Sequence, residues 1–263
     1  MEAMRAKSPT RATILVAGAS GVVGARALAH LVEQTDVARV VAVGRRPLAE
    51  PHHAKVIACV ADMSQAYAIE AAMSAALASS AVSGSGAESE ASPPRVAICC
   101  LGTTRKQAGS REAFRAVDVG AVRAFGEAAK RLGVTRMVAV TSLGANKRSW
   151  SDYLRAKADA EEALAELAFE QLTIVRPSAI DDEGARRERR IGERLWLPVG
   201  RAVFSVLGKT MRYAPISANV IGAAIVTLAF DETRERVRII ESETLHELGK
   251  SSERGDADKA RMP

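Results

Sequence analysis

Aromatic residues are scarce in this chain of 263 residues, at 4% of the sequence. That scarcity argues against a sandwich held together by aromatic pairs. A hydrophobic content of 48%, dominated by Ala and Val, suits helices packed on a buried parallel sheet instead. Cysteine is sparse as well: Cys59, Cys99 and Cys100 have neither disulfide nor metal-ligand spacing. Buried thiols of a reducing compartment follow, with a cytoplasmic location and no metal expected. No apolar run reaches the ~18 residues of a transmembrane helix, so no membrane partner is expected. The basic, then apolar start resembles a signal peptide only superficially, because its apolar stretch is short and runs straight into spaced glycines; it reads as a first strand.

The net charge of +6 raises nucleic acid as a partner. The basic residues are nevertheless spread over many segments, with one local cluster at Ala185–Arg194. Neither an aromatic platform, a helix-turn-helix pattern nor a zinc pattern accompanies them. Charge alone therefore does not support nucleic-acid binding, and a solvated surface or a phosphate-bearing small ligand is the better account.

Residues 1–11 read as a polar arm and 249–263 as a polar tail, leaving 12–248 as one domain. Within it, Ala12–Gly18, Arg39–Arg46, Lys55–Asp62, Arg95–Thr104, the segment ending in "VTSLGAN" and Leu172–Ile180 read as strands with their exit loops. Helical patterns lie between them, including Ser64–Ser79, Ser110–Leu132 and Ser151–Phe169. A late helix "SANVIGAAIVTLAF" and a last strand "RVRIIES" close the pattern. Residues 79–95, rich in Ser, Gly and Pro, form a flexible insertion, and 181–215 a small C-terminal, substrate-side extension. Alternation of strand and helix predicts an α/β fold, a doubly wound parallel sheet with right-handed crossovers.

The first strand ends in "GASGVVG", which places Gly18, Gly21 and Gly24 between a strand and a helix. Glycines there permit a tight turn and close approach to a pyrophosphate, whose charge the helix N-terminus favours. An NAD site tends to carry Asp or Glu at the end of the second strand. This chain has Arg45 and Arg46 instead, which suit a 2′-phosphate and predict NADP(H) over NAD(H). Asp62, ending the third strand, is placed either to meet the adenine amino group or to cap a helix with Ser64. Leu101 and Gly102 should border the cofactor at the fourth strand's end, and Thr103 and Thr104 offer hydroxyls to it.

Tyr153 and Lys157 stand four residues apart, on one helix face. A free phenol titrates at roughly 10, and a neighbouring ammonium favours its ionised form, which fits acid–base work. Ser142, at the end of the fifth strand, is placed to polarise a substrate carbonyl, a role that Thr141 could share or take.

With "GASGVVG", "VTSLGAN", "YLRAK" and "RPSAI" in this order, the chain resembles the short-chain dehydrogenase/reductase superfamily in its atypical or extended branch. "CLGTTRKQAGSREAFRAVDVGAV", "YLRAKADAEEAL" and "IIESETLHELG" narrow the likeness to the Tat-interacting-protein-like oxidoreductases. The resemblance covers most of residues 12–248 and implies a Rossmann-type fold. It further implies that Gly18, Gly21 and Gly24 hold the pyrophosphate, with backbone contacts from Ser20 and from Val22 or Val23. Ser142, Tyr153 and Lys157 match the catalytic set, and Lys157 the cofactor ribose contact. Arg176, Pro177 and Ser178 match the segment beside the nicotinamide. Asp118 departs from the pattern, standing where many members carry Asn, and a carboxylate cannot donate the hydrogen bonds of the usual water relay.

A small carbonyl or alcohol substrate is implied, bounded by residues such as Leu195–Gly200 and Tyr213. An alternative is an NADP(H)-binding sensor with little turnover; such a protein has no need of the Ser–Tyr–Lys set. Apolar faces on the late helices allow a homodimer without requiring one.

Overall fold

The structure, a computed structural model, describes residues 11–49, 53–80, 92–181 and 214–249. Its centre is a seven-stranded sheet built from β1 (Ala12–Ala17), β2 (Val37–Gly44), β3 (Val56–Val60), β4 (Val96–Cys99), β5 (Arg136–Val140), β6 (Gln171–Arg176) and β9 (Val237–Glu241). All neighbours pair in parallel, in the order β3-β2-β1-β4-β5-β6-β9. Parallel strands need crossovers that cover both faces, which is why β1 and β4 are continuous apolar runs, almost wholly buried.

Each face has its own core. Helices α2 (Ala66–Ser80), α5 (Val122–Arg131) and α6 (Asp152–Glu166) cover one face, where Phe125, Leu164 and Met73 pack against Leu15, Val41 and Ile174. Helices α1 (Val22–Glu33) and α7 (Ala218–Phe230) cover the other, with Leu31, Ile221 and Ile225 against Ile14, Val40 and Ile98. Every such side chain removed from water contributes about 1.5–3 kcal/mol, so the two layers hold the sheet rigidly from both sides. The chain runs outward from β1 to β3 and then returns to β4, so strand order reverses between β1 and β4. Diverging loops at that reversal open a crevice beyond the strand ends.

The expected single helix over Ser110–Leu132 is interrupted. Two short helices, α3 (Arg105–Ala108) and α4 (Arg111–Arg115), lead into a π-helical turn at Ala116–Ala121 before α5 begins. Apolar periodicity does not reveal an added residue per turn, so the π turn was invisible in the pattern. Two further features went unforeseen: a pair of short strands, β7 (Ile180–Asp181) with β8 (Ile216–Ser217), and a closing helix over 242–249. At the Ser-rich insertion, α2 continues to Ser80, and Ser92 N–H already donates to Arg11 O at 3.0 Å. The expectations for Ala185–Arg194, Leu195–Gly200, Tyr213 and most of both ends lie outside the described residues.

Candidate active site

At the end of β1 the chain turns through Gly18 at φ +82, a conformation that disfavours any side chain. A Cβ at Gly18 would stand 2.5 Å from the Cys100 carbonyl oxygen, and one at Gly24 only 2.1 Å from the Gly18 oxygen. The turn is closed by Gly21 N–H donating to Gly18 O at 2.9 Å. Gly21 then caps α1 without a side chain, and no acidic residue follows in the first turn. The leading N–H groups of α1 therefore face the crevice with neither a side-chain cap nor a competing anion. Val23 is buried in the core and Val22 is half-buried.

A cleft of about 140 Å³ occupies the crevice. Ser20 and Gly21, Arg45 and Arg46, Leu101 and Gly102 all line it. Both arginines are exposed. Asp62 does not line the cleft, whereas its neighbour Met63 does. Its Oδ1 accepts hydrogen bonds from Ser64 Oγ at 2.7 Å and Ser64 N–H at 2.9 Å, which hold the carboxyl below its ordinary value. The capping arm of the two readings of Asp62 is the one these contacts resemble. Cys59 and Cys100 also border the cleft, and burial pushes the Cys59 thiol up to about 11 and Cys100 further.

Behind Gly102, outside the residues that line the cleft, lies a buried ion pair. Lys157 Nζ lies 2.6 Å from Asp118 Oδ1, with Asp118 wholly buried on the π turn and Lys157 5% exposed. Asp118 Oδ2 accepts the Thr103 N–H at 2.9 Å, tying the exit loop of β4 to the same carboxylate. Burial pushes the Lys157 ammonium down, but Tyr153, Asp118 and Cys99 around it prevail and raise it above the ordinary lysine value. Thr104 is taken up locally: its hydroxyl accepts the Gln107 N–H at 3.2 Å as the cap of α3.

Tyr153 is half-buried in the first turn of α6, one turn before Lys157. Its ring lies 5.8 Å from that of Phe114 and 5.7 Å from Lys157 Nζ, centroid to atom. The Tyr153 ring is thus in reach of both the Phe114 ring and the Lys157 charge.

At the end of β5 the two hydroxyls part ways. Thr141 Oγ1 donates to Glu161 Oε1 at 2.6 Å, whereas Ser142 is half-buried and makes only a long contact to the Leu143 carbonyl, at 3.4 Å. Glu161, one turn after Lys157 on α6, also receives Arg176 Nε at 2.9 Å and Arg176 Nη2 at 2.5 Å. Arg176 is therefore turned towards α6. Pro177 O accepts the Leu143 N–H at 2.9 Å, joining the exits of β5 and β6. Ser178 N–H donates to Ser242 Oγ at 3.1 Å, and the Ser178 hydroxyl donates to Ala214 O. Sequence reasoning overlooked Glu161; its spacing of four from Lys157, on the inward stripe of α6, was the signal available for it.

The residues fit a dinucleotide. Side chains are absent where the backbone must approach a pyrophosphate, the α1 N-terminus is open to an anion, and the cleft runs from two guanidinium groups to Gly102, while Lys157, Tyr153 and Ser142 do not line it. Among the described residues, no group of three or more His, Cys, Asp or Glu is placed to hold a metal ion. No helix among them is long and apolar enough to cross a membrane.

Comparisons with known proteins agree with this geometry. A family model described as NAD(P)H-binding matches residues 18–203. The chain is 29% identical over 236 residues to the mitochondrial protein FMP52 of Eremothecium gossypii, covering 90% of this chain and 96% of that one. It is 33% identical over 160 residues to HTATIP2 of Rattus norvegicus, covering 60% and 63%. Among solved structures, the Bordetella bronchiseptica enzyme WbmG in complex with NAD superposes with a TM-score of 0.61 at 15% identity, covering 99% of this chain and 81% of that one. That likeness shows the fold. The FMP52 relatives are named as mitochondrial proteins, which overturns the expectation of a cytoplasmic location. Reduced thiols, on which that expectation stood, report redox poise and not address.

Proposed function

The chain belongs to the NAD(P)H-binding family, as an extended short-chain dehydrogenase/reductase related to FMP52 and HTATIP2, and on that premise we propose that it is an NADP(H)-dependent oxidoreductase acting on a carbonyl or alcohol group of a small molecule. One observation carries this reading: the cleft is continuous from Arg45 and Arg46 to Gly102, where a Cβ would stand 3.3 Å from Lys157 Nζ. The acid–base pair would thus stand directly behind Gly102, beside the nucleotide site.

Arg45 and Arg46 would hold the 2′-phosphate, since paired guanidinium groups match its charge and its oxygens. The turn at Gly18, Gly21 and Gly24 and the first N–H groups of α1 would take the pyrophosphate, with Ser20 at the cleft wall. Leu101, Gly102 and Thr103 would border the cofactor, and Lys157 its ribose hydroxyls. Bound there, the nicotinamide supplies or accepts the hydride. Tyr153 gives or takes the proton at the substrate oxygen, with the Lys157 charge beside its ring. Ser142 donates to the same oxygen as charge develops on it; Thr141 leaves it that role, because its own hydroxyl is committed to Glu161. Arg176, Pro177 and Ser178 act by fixing the exits of β5 and β6 beside this point.

Fluorescence titration with NADPH and NADH tests the cofactor, and a panel of carbonyl compounds with NADPH oxidation as readout tests the reaction. Preference for NADPH and oxidation with at least one carbonyl are expected. Preference for NADH would overturn the role of Arg45 and Arg46. Tight NADPH binding without oxidation across a broad panel would favour a sensor of cofactor occupancy.

A further inference from the structure

Among the described residues, no other ion pair is as buried as Asp118 with Lys157. The Asp118 oxygen that meets the ammonium receives no hydrogen bond from any other group, so the ammonium is its only satisfaction. The second oxygen is fixed by the Thr103 N–H at 2.9 Å. Gly102 lets the pair lie against the loop: a Cβ there would be 3.3 Å from Nζ and 3.6 Å from Oδ1.

The groups packed around Lys157 leave it no other anion. From its own helix comes Tyr153, from β4 the Cys99 thiol, which burial holds at about 11, and from the π turn Asp118. Glu161, one turn further along α6, is committed to Arg176 and Thr141. A lysine so enclosed would shed its proton unless a carboxylate compensated the burial.

We propose that Asp118 is a positioning residue of this site, whose carboxylate keeps Lys157 charged and held behind Gly102 at the cleft wall and, through Thr103, locks the β4 exit loop to the same lysine. The inference rests on the reading of the cleft as the NADP(H) site. It accounts for Asp118 in place of Asn: a neutral amide could accept the Thr103 N–H but could not balance the ammonium. The π turn has a purpose in this account, since it aims a buried carboxylate at a lysine on the neighbouring helix. The sign follows from Lys157, raised in the folded state. Its stabilisation is complete below the unfolded value of roughly 10.4 and is lost only as pH rises above that, through the folded value.

The test is NADPH affinity, read by cofactor fluorescence from pH 7 to 9.5, in the full chain and in Asp118→Asn, Lys157→Gln and the double variant. Wild type should hold its affinity across this range. Asp118→Asn should lose about tenfold per pH unit once its Lys157 deprotonates. The double variant should bind no more weakly than Lys157→Gln alone, because Asp118 acts through the lysine. A flat profile for Asp118→Asn, or losses that add in the double variant, would overturn the proposal. A second measurement needs no cofactor: the ¹⁵N resonance of Lys157 Nζ in the wild-type chain, assigned by its loss in Lys157→Gln. Titration above the exposed lysines supports the proposal, and titration below them overturns it. If wild type binds no NADPH at any pH, the cofactor reading fails, and the nitrogen titration still decides the role of Asp118.

Discussion

Replacing Glu161 by Ala removes one carboxylate that accepts three contacts from two side chains. Two of its contacts come from the Arg176 guanidinium, at 2.9 and 2.5 Å, and one from the Thr141 hydroxyl, at 2.6 Å. The pair is well shielded, with side-chain exposures of 17% for Arg176 and 11% for Glu161, and Glu161 holds Arg176 above its ordinary value. Breaking such a pair from one side leaves a poorly solvated cation, which costs about 3–5 kcal/mol. For a chain of this size, each kcal/mol lowers Tm by roughly 2–4 °C, so a fall on the order of 10 °C is expected by circular dichroism. The apolar double variant Glu161→Leu with Arg176→Met should recover much of that loss, because no unpaired charge then remains. The substitution should also free Thr141 and loosen the ends of β5 and β6, so NADPH oxidation should fall even at temperatures where the variant is folded. A Tm within about 2 °C of wild type would show that the network contributes little, and would refute this account of how the β5 exit is held.

Gly18→Ala should abolish NADPH binding in a fluorescence titration, because its Cβ would meet the Cys100 carbonyl at 2.5 Å in a backbone conformation disfavouring side chains. Retained affinity would mean that the turn is not the pyrophosphate seat. Joint replacement of Arg45 and Arg46 by Ala should weaken NADPH by about tenfold or more and leave NADH unchanged; equal loss for both cofactors would point to a merely structural role. Asp118→Asn should introduce a pH dependence of NADPH affinity between pH 7 and 9.5 that wild type lacks.

Much of the sheet was legible because its strands are apolar runs bounded by glycines and charged turns, a pattern that buried parallel strands require. The site was partly legible for the same reason: Gly18, Gly21 and Gly24, Arg45 and Arg46, Tyr153 and Lys157 lie in short local spacings. What stayed hidden depends on contacts distant in sequence. Nothing near Asp118 indicated that it would pair with Lys157, because the pairing needs a π turn and the packing of two helices. Likewise, sequence reasoning assigned the carbonyl-polarising role to Ser142 while leaving it open that Thr141 shares or takes it. Their separation follows from Glu161, twenty residues away, which binds one hydroxyl and leaves the other. Location was beyond the reach of composition, since three free thiols suit more than one compartment.

The most direct test of the central claim is Tyr153→Phe, assayed with the best carbonyl substrate from the panel and with NADPH binding measured alongside. Removing one hydroxyl should leave the packing against Phe114 and the affinity for NADPH unchanged while turnover falls by about 10²-fold or more. Undiminished turnover would contradict the account and remove Tyr153 from the mechanism.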